Sequence, residues 1–244
     1  LQVGAGGQSS GVAAEMLGAA ARADANLGET AAGQPRKNVL FLTRQLLLLD
    51  YVCYQTFCDG REAWMAAREA LGEAAGTFVL VFFGTGAVHT AVLTGAQSGL
   101  WQVAVVWGAA VALAIYAAGA LSGAHLNPAV TCACAAFGRL PWRKAPGYIA
   151  AQLAGALAAA AALYALFHNV LARFEAAKGL VRGGPGSELS AMCYGEYFPN
   201  PACLGTTAEA WAQVGPLQAM AAEALGTLVL VLVVFLVTDR ANAQ

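Results

Sequence analysis

The feature that most constrains this chain is the absence of charge over long stretches. No Asp, Glu, Lys or Arg occurs from residue 74 to residue 138, and a second charge-free run extends from residue 145 to residue 172. A bilayer crossing needs about 20 consecutive apolar residues. With 59% hydrophobic and 11% charged residues and a mean hydropathy of +0.58, the chain has too little polar surface to face water. We therefore expect an all-α, polytopic protein in a lipid bilayer.

Four segments are long and apolar enough to span that bilayer. We predict spans at residues 71–93, 100–121, 146–170 and 216–238, with a polar loop at residues 171–215. The start of the chain, rich in Ala, Gly, Ser and Gln, buries too little apolar surface to offset the entropy of ordering. Residues 1–67 are therefore expected to form a flexible, low-complexity region, in which residues 39–52 are either an interfacial helix or unstructured.

Positive charge lies on one side of these spans. Basic residues precede the first span, occupy the connection between the second and third, and follow the fourth: Arg61, Arg68, Arg139, Arg143, Lys144 and Arg240. The connection after the first span contains no basic residue. By the positive-inside rule the N-terminus then lies in the cytoplasm and the loop at residues 171–215 lies outside. The protein is expected to be a multi-pass protein of the plasma or cytoplasmic membrane.

One segment occurs twice. Residues Glu73–Val81 recur 150 positions later as Glu223–Val231, with seven of nine residues identical, which indicates an internal duplication. The two copies enter the membrane from opposite sides, so the units would be inverted, as in many channels and transporters. Carboxylates at membrane depth are costly. Glu73 and Glu223 either reach out at helix ends or are buried against irregular backbone, and their shared context favours burial.

A short helix inside the first charge-free run supplies such irregular backbone. Asn127 is a good N-cap and Pro128 a good first helical residue, so a helix is predicted to run from there to about Phe137. About ten residues cross only half of a membrane. Gly123 lets the preceding backbone extend, which is tolerated at this depth only where it is buried in protein or lines a wet cavity. The sequence therefore predicts a re-entrant half-helix whose positive end points into a pore.

These features together resemble the major intrinsic protein family, the aquaporins and aquaglyceroporins, and within it the bacterial glycerol facilitators. The resemblance covers residues 68–239 and rests on SGAHLNPAVT at Ser122–Thr131, on the repeat, and on Gln152–Ala156. It implies an aquaporin-like inverted-repeat helical bundle. The chain would contain the first half of that bundle and the first helix of the second half, and would end in a truncated cytoplasmic segment at residues 240–244.

The resemblance also implies roles for particular residues. The family's acceptor ladder would be the backbone carbonyls of Gly123, Ala124, His125 and Leu126. Its Asn-Pro-Ala motif would be Asn127, Pro128 and Ala129, with the Asn127 side chain donating to a permeant oxygen. Glu73 would hold this loop, and Glu223 would hold the equivalent loop of the second half. A single histidine in such a loop more often packs against its neighbours than acts as a base or a metal ligand, and we expect the same of His125.

By the same resemblance, Trp107 would correspond to the tryptophan that glycerol-conducting members place in their narrow filter. It could instead belong to an interfacial belt, but it lies within the second span and Trp101 already marks the end of that span. The filter role is therefore favoured, with the indole face as a platform for a carbon backbone.

A second Asn-Pro-Ala triplet at Asn200, Pro201 and Ala202 is not expected to be a second half-helix. It lies in the polar loop with no apolar segment behind it. By the repeat offset, the second motif would fall beyond Gln244. In the same loop Cys193 and Cys203 could pair at an oxidising face, although the six cysteines suggest no disulfide framework.

The preferred function is a channel for passive diffusion of glycerol, other small uncharged solutes and water. The alternatives are a water-selective aquaporin and a secondary transporter with inverted repeats. No enzyme, cofactor or metal site is expected, since His89, His125 and His168 have no metal-ligand spacing, and a net charge of −1 gives no field to recruit nucleic acid. The complete protein would be a homotetramer by resemblance, and the 244 residues alone are expected not to conduct.

Overall fold

The computed structural model describes residues 35–97 and 99–239, with side chains described at residue 56 and at residues 59–97 and 99–239. The chain divides into two compact units, Leu1–Trp64 and Met65–Gln244. Every residue predicted above to take part in a site belongs to the second unit.

The described residues form helices and no strands. In chain order the helices are α1 Pro35–Thr94, α2 Leu100–Ser122, α3 Pro128–Ala136, a 3₁₀ turn Trp142–Lys144, α4 Ala145–Lys178, α5 Glu188–Ala191, α6 Pro201–Leu204, α7 Ala208–Trp211 and α8 Pro216–Val237. Four segments are long and apolar enough to cross a membrane: Asp59–Thr94, Leu100–Ser122, Trp142–Lys178 and Pro216–Val237. The prediction of an all-α chain with four such segments is confirmed.

Helix α1 begins much earlier than the first predicted span. Residues 35–67 belong to the region expected to be flexible, in which an interfacial helix at residues 39–52 was one alternative, and all of them are helical. Pro35 suits the first turn of a helix, and no further Pro and no Gly interrupts the sequence before Gly60. Residues 1–34 and 240–244 lie outside the described residues, so the expectations for them stay predictions.

Helix α4 also extends beyond the predicted span. It continues to Lys178 and ends where Gly179 adopts a left-handed conformation with φ 65°. The polar loop therefore begins at Gly179, and it contains the three short helices α5, α6 and α7.

Small residues let α2 and α4 approach α1 closely. A methyl group placed on Gly72 would lie 2.8 Å from Cβ of Leu121, and one on Gly76 would lie 2.8 Å from Cβ of Ala118. On the α4 side, a methyl group on Gly155 would collide with the backbone carbonyl of Ala74. Small residues have this use in membranes, where helices associate by close packing. Helix α1 is thus packed against both α2 and α4.

The short helix α3 packs between α4 and the second half of α8. The buried residues of this cluster are Val130, Cys134, Ala135, Leu140, Ala145 and Tyr148, with Val231, Val234 and Phe235 of α8 packed against them. The Arg139 guanidinium lies 4.1 Å from the centre of the Phe235 ring and donates to the Thr238 hydroxyl at 3.1 Å. Helix α8 itself has no buried residue.

An ion pair and hydrogen bonds hold the polar loop to the C-terminal end of α4. Arg182 donates to Glu175 at 2.7 Å, and the Ser190 hydroxyl donates to the same carboxylate at 3.0 Å. Cys193 is 1% exposed whereas Cys203 is exposed, and both are free thiols, so the pairing considered above is not formed. Burial raises the pKa of the Cys193 thiol to about 12.

The two loop thiols should therefore differ in reactivity. We expect N-ethylmaleimide near neutral pH to alkylate Cys203 at least about tenfold faster than Cys193, because burial removes both access and thiolate. Peptide-resolved mass spectrometry of the folded protein measures the two rates. The control is the protein in SDS, where the rates should converge. Equal rates in the folded protein, or a disulfide-linked peptide pair, would contradict this arrangement.

Candidate functional site

The candidate site begins where α2 ends in an irregular segment at residues 123–127. Gly123 has φ 87° and donates its N–H to the Gly119 carbonyl. Ala124 and Leu126 then adopt φ 53° and 54°, in the left-handed region that side chains other than glycine rarely enter. Each such residue costs about 1 kcal/mol. This segment therefore keeps its shape only because its surroundings hold it.

The Glu73 carboxylate of α1 is the main partner of this segment. It is 0% exposed and accepts four hydrogen bonds. Oε1 accepts the Ser122 hydroxyl at 2.6 Å and the backbone N–H of His125 at 2.9 Å. Oε2 accepts the backbone N–H of Leu126 at 2.8 Å and the side-chain amide of Gln152 at 2.7 Å. A carboxylate has about four acceptor positions, so this buried charge is fully satisfied.

This arrangement uses the N–H groups of the segment and leaves its carbonyls free. The N–H of Ala124 donates to the Ser122 hydroxyl at 3.1 Å, and those of His125 and Leu126 donate to Glu73. Among the described residues, nothing donates a hydrogen bond to the backbone carbonyls at positions 123–126. The segment therefore offers consecutive acceptors to a ligand.

Gln152 of α4 joins the carboxylate to the half-helix. Its amide nitrogen donates both to Glu73 and, at 2.9 Å, to the Thr131 hydroxyl. Thr131 is completely buried and donates its own hydroxyl to the Asn127 carbonyl at 3.1 Å. One polar network thus connects α1, α3, α4 and the irregular segment.

His125 packs within the loop. Its ring centre lies 5.1 Å from that of Tyr148, and its Nδ1 lies 3.3 Å from the Thr131 hydroxyl oxygen. Because that hydroxyl already donates to a carbonyl, the imidazole nitrogen is the donor in this contact. Tyr148 in turn donates to the Ser122 carbonyl at 2.9 Å.

Asn127 caps α3 with its side-chain oxygen. Its Oδ1 accepts the N–H of Ala129 at 2.7 Å, and Pro128 occupies the first helical position. The amide nitrogen of Asn127 has no acceptor among the described residues, and the side chain is half-buried. A directed, unused donor therefore lies beside the free carbonyls at the positive end of α3.

Trp107 lies in the N-terminal half of α2 and is half-buried. Its indole ring lies against Gly84 of α1. No acceptor pairs with its indole N–H in the part of the chain that the structure describes. Among the described residues, no hydrogen bond or ring contact joins Trp107 to the Glu73 network, and its filter role stays a prediction.

The expectation that Glu223 is buried beside irregular backbone is wrong for this structure. Glu223 is exposed, and a methyl group on the neighbouring Gly226 would meet nothing within 4 Å. In the first copy, α2 and the irregular segment cover Glu73 and Gly76. No described residues cover the corresponding face of α8, so Glu223 contacts no loop here.

Four network residues were absent from the predicted site: Ser122, Thr131, Tyr148 and Gln152. Gln152 had a readable signal, because an amide side chain inside a long charge-free run needs a buried partner. Ser122 and Thr131 are the first and last residues of the SGAHLNPAVT segment, while nothing in the sequence marked Tyr148. No group of three or more His, Cys, Asp or Glu that could hold a metal ion occurs among the described residues.

Helices of membrane-crossing length around a capped half-helix define this chain as an integral membrane protein. The family model for major intrinsic proteins matches residues 61–244. The chain therefore belongs to the major intrinsic protein family.

Curated relatives agree with this assignment. The chain is 41% identical over 174 residues to a glycerol uptake facilitator protein of Pseudomonas aeruginosa, covering 71% of this chain and 58% of the relative. It is 40% identical over 172 residues to one of Haemophilus influenzae, covering 70% and 61%. The chain thus spans about three fifths of the length of these relatives. Among solved structures, the aquaglyceroporin from Plasmodium falciparum is 37% identical, with a TM-score of 0.43 and coverage of 44% of this chain and 45% of that chain.

Removing the Glu73 charge should destabilise the protein. The variant Glu73→Gln keeps the side-chain size, but its amide nitrogen cannot accept the hydrogen bonds now made to one carboxylate oxygen. We expect a loss of about 2 kcal/mol in the free energy of unfolding, since buried donors are left unsatisfied. Unfolding in SDS, followed by circular dichroism, measures this loss.

The matched control is Glu69→Gln, one turn earlier on α1. Glu69 pairs with Lys144 at 2.6 Å in a partly exposed position, with side-chain exposures of 21% and 34% respectively. Such pairs contribute less than about 1 kcal/mol. Equal losses for the two variants would refute the special role of Glu73.

Proposed function

We propose that residues 68–239 form one half of a pore through which glycerol, other small uncharged solutes and water diffuse passively. The observation that carries this proposal is the row of free carbonyls at positions 123–126 beside the unused amide donor of Asn127. A solute hydroxyl both donates and accepts. It can therefore exchange its hydration shell for this row of acceptors and this donor.

The same geometry disfavours charged solutes. The N-terminal end of α3 is equivalent to about half a positive charge, which repels cations and protons. Glu73 brings no compensating attraction into the pore, because its four hydrogen bonds turn it away from the free carbonyls. Uncharged, hydroxyl-bearing molecules are the class that suits such a path.

Trp107 supports a preference for polyols over a path for water alone. The indole would present an apolar face to a carbon backbone, and its N–H has no acceptor among the described residues. The names of the relatives, glycerol uptake facilitator proteins and aquaglyceroporin, point in the same direction. A water-selective pore remains the alternative outcome of the flux measurement below.

We also infer the membrane, the orientation and the assembly of the protein. The basic ends of the spans, marked by Arg68, Arg139 and Arg143, face the cytoplasm by the positive-inside rule, and the membrane is the plasma or cytoplasmic membrane. The exposed apolar faces of α2 and α8 face lipid or neighbouring subunits of a homotetramer.

Solute flux into proteoliposomes tests the function. One preparation contains the 244-residue chain, and a second, the extended chain, contains this chain joined at the end of the matched region to the part of the Pseudomonas aeruginosa relative that follows that region. Stopped-flow light scattering measures glycerol and water permeability of both, with empty liposomes as the baseline. The extended chain is expected to pass glycerol in proportion to its gradient and without regard to ion gradients. Saturable, ion-coupled flux would favour a secondary transporter instead.

The two Asn-Pro-Ala triplets provide a matched pair of variants. Asn127→Ala and Asn200→Ala each remove a cap bond to the N–H two residues later, at 2.7 Å and 2.9 Å. In the extended chain we expect Asn127→Ala to reduce glycerol flux at least about tenfold, since a donor in the path is lost, and Asn200→Ala to leave the flux within about twofold. Equal effects would show that the cap, and not the path, matters.

A further inference from the structure

The Trp107 indole lies against α1 at Gly84. A methyl group placed on Gly84 would lie 2.6 Å from Cδ2, 2.6 Å from Cε3 and 2.7 Å from Cε2 of Trp107. These atoms surround the bond shared by the two rings, so the middle of the indole lies on the α1 backbone. Ordinary carbon contacts need roughly 3.5–4 Å. No residue other than glycine fits at position 84 while Trp107 stays where it is.

We propose that Gly84 is a positioning residue that sets the width of the solute path by allowing the Trp107 indole to lie directly on α1. This inference rests on the proposed function for its effect on solutes. A side chain at position 84 would push the ring away from α1 by roughly 1 Å. This is the difference between the 2.6 Å that separates an added methyl group from the indole and an ordinary carbon contact. Such a shift would change the width of the solute path. Because pore diameter decides which solutes pass, the permeability to glycerol, the larger solute, should change more than the permeability to water.

The contact itself is testable on the 244-residue chain without any transport assay. We compare the SDS unfolding midpoints of Gly84→Ala, Trp107→Phe and the double variant. Phenylalanine lacks the fused second ring, so it leaves room for the methyl group. We expect Gly84→Ala to lower the midpoint in the presence of Trp107 and to have at most half of that effect with Phe at position 107.

Gly108→Ala is the control for this cycle. It is the same substitution next to Trp107 in sequence, but its methyl group meets nothing within 4 Å. Its effect should be small and independent of residue 107. If Gly84→Ala alone does not fold, the double variant is still expected to fold, because the clash is relieved. Failure of both, or equal midpoint losses with Trp and Phe at position 107, overturns the inference.

The consequence for solutes is measured in the extended chain described above. Gly84→Ala should lower the ratio of glycerol to water permeability about tenfold when Trp107 is present. In a protein that carries Trp107→Phe, adding Gly84→Ala should leave this ratio unchanged. Glycerol flux with an unchanged ratio in Gly84→Ala overturns the role of Gly84 and leaves the channel proposal standing. Coupling in the unfolding cycle without any glycerol flux in the parent protein refutes the proposed function and upholds the Gly84–Trp107 contact.

Discussion

The structure of the site depends on one buried charge. Taking an ionised carboxylate out of water costs several kcal/mol unless hydrogen bonds replace its hydration. Glu73 obtains them from Ser122, Gln152 and two consecutive backbone N–H groups. The benefit is mutual, because an irregular segment at membrane depth would otherwise leave those N–H groups without acceptors. By fixing the N–H groups on the α1 side, the carboxylate also determines that the carbonyls of the same segment remain available.

Close packing holds α2 and the irregular segment against α1, the helix that carries this carboxylate. The α1 glycines at positions 72, 76 and 84 meet successive parts of α2 and the segment after it: Leu121, then Ala118 and Leu126, then Trp107. Each contact is too short to admit a methyl group. One helix thus supplies the charge that holds the irregular segment and the bare backbone on which its neighbours rest. Substitution at either kind of position would disturb the packing of α2 and the irregular segment against α1.

The sequence predicted those features that depend on local rules. The charge-free runs predicted the spans, and Asn127 with Pro128 predicted the start of the half-helix, because capping and helix length are properties of a few adjacent residues. The network of Gln152, Thr131 and Tyr148 could not be predicted, since it depends on which faces of α3 and α4 meet. Before Gly60 the sequence predicted a helix only at residues 39–52, and only as one alternative, because a low-complexity composition was taken to favour disorder where no residue breaks a helix.

The two Asn-Pro-Ala triplets explain why a short motif does not define a site by itself. Asn127 and Asn200 make the same cap bond to the residue two positions on. After Asn127 the helix continues for nine residues and packs a buried cluster against α4 and α8, whereas after Asn200 it stops within four residues at Gly205. Only the longer helix sums enough peptide dipoles to place a substantial positive end at Asn127. Only that helix is preceded by a segment whose N–H groups are bound by a buried carboxylate. The properties of the site therefore come from the nine-residue helix that follows Asn127 and from the carboxylate of Glu73. The triplet marks only the position at which that helix begins.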